Sequence, residues 1–290
     1  MNVVRISDGL GNQMFQYAFA RRLQIDTGKP VSLDIRYINN EDIFYNREDN
    51  FQLKKNDYRR FGLDHFKVRL NIADEKELRH WKYLCHNGMG HKGISALAQK
   101  GLWPWGFCNE ACDEAAAKGR HFPVYYKGYF FHLKYYDDVK EILQKEFVLK
   151  NKLHLPGELK EILKENQTIA IHVRRGDFLK WNRDLSQKDY YPRAVKLMSE
   201  KIEKPVYLVF SDDIKWVKEN IKTDARTIYV SEMGFEDYEE LAIMKHCQHY
   251  IIANSTFSYW AAYLSRNANK TVICPKHWKS DIIPEDWIKL

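Results

Sequence analysis

Short apolar runs alternating with helical stretches over residues 168 to 274 limit most strongly what this chain can fold into. The runs are Thr168–Val173, Val206–Ser211, Thr227–Val230, His249–Ala253 and Thr271–Cys274, and each is apolar almost throughout. Helical patterns lie between or after them at Tyr190–Ile202, Ile214–Asn220, Tyr238–Cys247 and Phe257–Arg266. Strands with no regular polar face are buried on both sides, and a helix between successive strands makes the sheet parallel.

The first half opens in the same way. Val3–Ile6 reads as a buried strand, Gly9-Leu10-Gly11 as a tight turn, and Asn12 to Asp26 as a helix with Phe15, Phe19 and Leu23 at helical spacing. Val31–Asp34 is the next strand, a β–turn–α–β opening typical of a doubly wound domain. Further on, Glu75–Leu84 reads as a helix, Pro123–Phe131 as a strand and Tyr136–Phe147 as a helix. Lys150–Gly157, with Asn, His, Pro and Gly, is the candidate linker. A chain of 290 residues is long enough for two cores. The expected fold class is α/β: two facing Rossmann-like domains with mainly parallel sheets, residues 1–153 and 154–290.

Apolar residues make up 44% of the chain and charged residues 29%, which excludes a largely disordered protein. The 46 Lys and Arg against 39 Asp and Glu favour an anionic ligand or an acidic surface. That excess is spread along the chain, so a basic nucleic-acid or anion-binding module ranks well behind an enzyme, and no nucleic-acid partner is expected. No apolar run approaches the ~20 residues that cross a bilayer, and the N-terminus lacks a signal-peptide pattern. The expected location is cytoplasmic, where the positive charge would support weak attachment to the inner membrane face. The five cysteines are scattered and odd in number, as expected of free thiols. Cys108-x-x-x-Cys112 with Cys85, His86, His91 and His121 has ligand types that suit zinc. Free thiols and surface histidines are the simpler account.

Three strand ends in the second half carry the chemistry. The first ends in His172, Arg174, Arg175 and Asp177; the second in Ser211, Asp212 and Asp213; the third in Asn254, Ser255 and Thr256, just before a helix containing Ser258. Ser, Thr, Asp and Asn are ordinary N-caps, which explains one such cluster. Three in one sheet, one of them doubly basic, point to a nucleotide diphosphate. Guanidinium forks match phosphate, and a helix N-terminus offers unpaired N–H groups to an anion. Gly9 and Gly11 are further phosphate-loop candidates, although Met14 stands where a dinucleotide fingerprint needs its third glycine. No Walker sequence and no Asp-x-Asp triplet occurs. Arginine and helix N-termini are therefore expected to neutralise a departing diphosphate without a metal.

The chain resembles the bacterial alpha-1,2-fucosyltransferases of glycosyltransferase family 11. The resemblance rests on Gly9-Leu-Gly-Asn-Gln-Met-Phe-Gln-Tyr-Ala18, His172-Val-Arg-Arg-Gly-Asp177, Phe210-Ser-Asp-Asp-Ile-Lys-Trp216 and Ile252-Ala-Asn-Ser-Thr-Phe-Ser258, in the family's order and spacing. Asp8 stands before Gly9 where a glycine is usual. The resemblance implies a GT-B fold, with 1–153 the acceptor-side domain and 154–290 the GDP-fucose-binding domain, and transfer of L-fucose from GDP-beta-L-fucose to O2 of a galactoside with inversion; no cofactor is expected. Arg174 would bind the diphosphate and stabilise the leaving GDP, and Arg175 would hold the loop through Asp177. His172 would approach the guanosine or sit as a core histidine. Ser255, Thr256 and Ser258 would offer donors to phosphate, with Asn254 in the same loop. Glu240 would read guanine or stand on a solvated helix face, and Asp212 would bind ribose or cap a helix. Asn12 would face the donor from the first domain. Asp177 is the expected general base, with Asp8 as the rival.

Overall fold

A computed structural model describes residues 1–38, 60–81, 97, 106–109, 123–180, 183–185 and 189–290. The chain divides into two compact units, Met1–Glu146 and Phe147–Leu290.

Five strands form the sheet of the first unit: β1 (Asn2–Arg5), β2 (Val31–Asp34), β3 (Asn71–Ile72), β4 (Gly106–Asn109) and β5 (Val124–Lys127). They lie in the order β3-β2-β1-β5-β4, and every pairing is parallel. Helix α1 (Leu10–Thr27) covers this sheet and is buried along most of its first four turns. It ends at Gly28, whose positive φ of 63° would strain any other residue but aspartate or asparagine. The unit also holds α2 (Glu75–Leu78) and α3 (Lys140–Glu146).

Two buried glutamines explain how α1 begins. Gln13 donates from Nε2 to the Asp8 and Arg60 carbonyls, both at 2.8 Å, and accepts the Gly62 N–H at 2.9 Å. Gln16 accepts the Ser7 N–H at 2.8 Å and donates to Ser7 Oγ at 2.9 Å and the Gly128 carbonyl at 3.2 Å. A buried amide is tolerated only when its hydrogen bonds are made, and these two staple the loop after β1 to the helix that follows. The tight turn is made at Asp8, with φ 65°, so the helix starts at Leu10 and contains Gly11. Gly9 is its N-cap. The expectation of a turn through Gly11 is corrected accordingly.

The second unit is a six-stranded, all-parallel sheet built from β6 (Thr168–Val173), β7 (Val206–Ser211), β8 (Thr227–Tyr229), β9 (His249–Ile251), β10 (Val272–Cys274) and β11 (Ile288–Lys289). The order β11-β10-β9-β6-β7-β8 is the doubly wound order. Its helices are α4 (Gly157–Glu165), α5 (Gly176–Lys180), α6 (Tyr190–Lys201), α7 (Ile214–Asn220), α8 (Asp237–Lys245) and α9 (Thr256–Leu264). One sheet face buries Ile169, Ile171, Val173, Val209, Ile251 and Ile273 with Tyr190, Tyr191, Ala194 and Met198 of α6. The chain turns in opposite directions from β6 and β9, so a crevice opens at their carboxyl ends.

Several expectations shift. The division falls before Phe147, seven residues ahead of residue 153. Phe147 packs edge-on against Trp260 at 5.6 Å and its carbonyl accepts Lys245 Nζ at 2.8 Å, so the chain joins the second core as soon as α3 ends. The segment after Arg175 is the helix α5 rather than a loop. Cys108 is disulfide-bonded, which corrects the expectation of free thiols throughout; only the fold decides which cysteines meet. Cys247 and Cys274 are free and buried. Cys85, His86, His91, Cys112, His121 and the end of the expected helix at 82–84 lie outside the described residues.

Replacing Gln13 by Leu orphans the Gly62 N–H and two carbonyls. At about 1–3 kcal/mol for each unsatisfied buried group, Gln13→Leu should lower unfolding stability by about 3 kcal/mol in a denaturant titration.

Candidate active site

The site is built at the ends of β6 and β7, which run in register from Thr168↔Val206 to Val173↔Ser211. Arg174 follows β6 and lies between two carboxylates. Its Nη2 donates to Asp177 Oδ1 at 2.7 Å, and its Nη1 is 2.9 Å from Asp212 Oδ2. A guanidinium carries five N–H donors. Two meet these carboxylates, and the other three have no partner among the described residues. The side chain is 26% exposed, so those donors are fixed in direction and reachable by solute.

Arg175 is structural. Its Nε donates to Asp213 Oδ2 at 3.0 Å, its Nη1 lies 3.7 Å from Asp184 and its guanidinium sits 4.0 Å above the Trp216 ring. The expectation that Arg175 holds the loop through Asp177 is corrected: Asp177 pairs with Arg174 instead. Asp212 does not cap a helix. Its Oδ1 accepts the Arg175 backbone N–H at 2.9 Å while Oδ2 holds Arg174. Asp213 is the N-cap of α7, accepting the Trp216 N–H at 3.2 Å. Gly176 makes this geometry possible, because a Cβ there would stand 2.7 Å from Asp212 Oδ2.

His172 is buried, and its ring lies 5.5 Å from that of Phe257 in the first turn of α9. Burial, and secondarily the Arg174 charge, bring its pKa down to about 3, so the imidazole is neutral. Its Nδ1 is buried without a hydrogen-bond partner among the described residues. Tyr191 pins the same strand end, donating to the His172 carbonyl at 3.1 Å and meeting the Arg174 backbone.

Asn254 donates from Nδ2 to the Arg183 carbonyl at 2.8 Å, and its Oδ1 is buried without a partner among the described residues. Ser255 is the N-cap of α9, accepting the Phe257 N–H at 3.4 Å; Thr256 opens the helix and is partly exposed. Ser258 is fully buried and turns its hydroxyl to the Ser255 carbonyl at 3.4 Å. A cavity of about 420 Å³ opens beside this loop, with Arg183, Arg193, Lys276, His277 and Trp278 in its wall.

Glu240 sits on α8 near the ends of β7 and β8. Ser231, which follows β8, accepts the Ser211 N–H at 3.0 Å and also hydrogen-bonds Glu240. Burial pushes the Glu240 carboxyl up to about 7, opposed by Ser231 and reinforced by Asp237. Asn12, Gly9 and Gly11 belong to the first unit, where the Asn12 N–H meets the Gly9 carbonyl at 2.9 Å.

A paired guanidinium, a neutral imidazole, a helix N-terminus and a desolvated carboxylate at one sheet end suit a nucleoside diphosphate. Residues 109–289 match Glycosyl transferase family 11. The chain belongs to this family. It is 30% identical over 311 residues to the O-antigen biosynthesis glycosyltransferase WbnK of Escherichia coli, covering 98% of this chain and 99% of that protein. It is 26% identical to an Escherichia coli alpha-1,2-colitosyltransferase over 99% of this chain and 98% of the relative. Human galactoside alpha-(1,2)-fucosyltransferase 1 is 29% identical over 47% of this chain and 40% of its own length. In fold, the chain is similar to a mutant of Arabidopsis thaliana FUT1 in complex with GDP, with a TM-score of 0.52 at 13% identity, covering 98% and 72% of the two chains. The family 11 glycosyltransferase described here thus has two parallel-sheet α/β units of the GT-B type.

A carboxyl whose folded pKa lies above its unfolded value binds protons more tightly in the native state. The stability it contributes is full below about pH 4.5 and is lost as pH rises through about 7. Glu240→Gln should remove that slope and leave the ligand-free enzyme more stable above pH 7, on the order of 2–3 kcal/mol, in thermal melts across pH.

Proposed function

We propose that this glycosyltransferase moves L-fucose from GDP-beta-L-fucose to O2 of a terminal beta-galactoside, with inversion and without a metal, in O-antigen synthesis. The observation that carries the reading is Arg174, held between Asp177 and Asp212 with unpartnered donors at the switch point of the second sheet. The fucosyltransferase and O-antigen transferase among the relatives support the sugar and the setting.

When the bond from fucose to GDP breaks, negative charge develops on the diphosphate. Arg174 and the N-terminus of α9, with Ser255 and Thr256, would stabilise it there, with no reorganisation needed during the reaction. His172 Nδ1 and Asn254 Oδ1 are two buried polar atoms whose valence a bound nucleotide would complete. Glu240 would accept from guanine N1–H and N2–H as a carboxylate, and Asp212 would act on the ligand through Arg174. Weak attachment to an anionic membrane face remains part of this reading, and no helix among the described residues is long and apolar enough to cross a membrane.

Arg174→Ala should fold and lose on the order of 10²–10³ in kcat. Asp177→Asn separates two roles. A carboxylate that takes the acceptor proton lowers kcat and spares GDP affinity, whereas one that orients Arg174 weakens both. GDP affinity by calorimetry should fall as pH drops below about 7 in the wild type, as Glu240 protonates, and stay flat in Glu240→Gln. The deciding assay is transfer from GDP-fucose to a panel of beta-galactosides in EDTA, with linkage analysis. An alpha-1,2 product supports the reading. Absence of transfer from GDP-fucose to every acceptor, despite tight GDP binding, would overturn the donor.

The similarity to the colitosyltransferase over nearly the whole chain favours one second reading, transfer of GDP-linked colitose. Colitose is fucose without its 3-hydroxyl, so direct competition between the two donors separates the readings.

A further inference from the structure

In the first unit, β1 and β5 pair at the centre of the sheet, and the residues after their carboxyl ends come together, among them Asp8, the rival candidate for the general base. Asp8, after β1, has φ 65°, a left-handed backbone that favours glycine. Its Oδ2 accepts the Tyr129 hydroxyl at 2.5 Å, and its other oxygen has no protein partner among the described residues. Tyr129 is 36% exposed and stacks on Phe131, with ring centroids 5.1 Å apart and planes 3° from parallel. Phe131 in turn meets the buried Phe15 of α1 edge-on at 4.9 Å. Arg5 lies 4.0 Å over the ring of Tyr37 close by, and both groups act on the Tyr129 phenol.

A supported, partly exposed aromatic ring beside an oriented carboxylate has the chemistry of a pyranose site. The ring covers the apolar C–H face of the sugar, and the carboxylate accepts from its hydroxyls. A glycine at position 8 would meet the backbone requirement without strain, whereas the aspartate found there engages Tyr129 through one carboxylate oxygen. Gln13 holds the Asp8 carbonyl and Gln16 the Gly128 carbonyl, fixing both halves of the pair on buried amides.

We infer that Asp8 and Tyr129 form a saccharide-binding subsite on the first unit that takes the beta-galactoside acceptor, with Asp8 reading a sugar hydroxyl and Tyr129 stacking on the ring. The inference rests on the acceptor class of the proposed function and adds the residues that select it.

The test uses the whole enzyme. Saturation-transfer NMR with lactose and N-acetyllactosamine, without donor, should show binding to the wild type. The dissociation constant should rise about tenfold or more in Asp8→Asn and in Asp8→Gly. Asp8→Gly relieves the left-handed backbone and should melt no lower than the wild type, which separates lost recognition from lost folding. GDP affinity by calorimetry should stay within twofold in both variants. Lactose affinity unchanged in both variants, or no binding of either sugar by the wild type, would overturn the subsite. A wild type that binds lactose through Asp8 but not GDP would support the subsite and sink the donor assignment instead.

Discussion

One carboxylate organises the carboxyl end of the sheet in the second unit. Asp212 stands where β7 ends, and its two oxygens reach across to the loop after β6, one to the Arg175 backbone and one to the Arg174 side chain. The next residue, Asp213, faces the other way, caps α7 and takes the Arg175 side chain. Two adjacent aspartates thus hold two adjacent arginines, and the arginine pair divides into one structural and one reachable cation. Gly176 leaves room for this arrangement by having no Cβ. An arginine loses about 2 kcal/mol of rotamer freedom when it is held in place. Meeting that cost during folding rather than at each turnover is what preorganisation means for this site.

The same sheet end carries groups that folding leaves electrostatically incomplete. His172 is neutral and buried with an orphan nitrogen, Asn254 has an orphan oxygen, and Glu240 is desolvated enough to be half protonated near neutral pH. Each of these raises the energy of the empty enzyme, and each would be relieved by a ligand that donates or accepts at the right place. Buried groups of this kind are uncommon in a core that otherwise satisfies its polar atoms, as Gln13 and Gln16 do in the first unit. The completed amides of α1 contrast with the incomplete groups at the ends of β6 and β9.

Much of the frame was legible in the residues. Thr168–Val173, Val206–Ser211 and Val31–Asp34 have the bounds expected of them, because a largely apolar run flanked by polar residues is buried as a strand of a covered parallel sheet, and the helix Ile214–Asn220 also keeps its expected bounds. The two-residue strands β3 and β11 were not legible, since so short a pairing depends on a neighbour and not on its own composition. The helix α5 escaped for a similar reason. It spans only Gly176–Lys180, too few residues to show a helical period of their own. The buried ring of α1 gave a helix, but the roles of Gln13 and Gln16 needed partners 47 and 112 residues away along the chain.

What the sequence by itself determined was the α/β class, the family and the three polar strand ends, because hydrophobic periodicity and ordered motifs are local properties. What only the tertiary structure decided was which charge meets which: that Asp177 pairs with Arg174 rather than Arg175, that Asp213 caps a helix and Asp212 does not, and that Asp8 meets Tyr129. Those pairings depend on angstrom-scale distances, whether within one turn, as for Arg174 and Asp177, or between strand ends far apart in the chain, as for Asp212 and Asp8. The β6–β7 register and the missing Cβ at Gly176 set the distances in the second unit, and the pairing of β1 with β5 brings Asp8 to Tyr129 in the first.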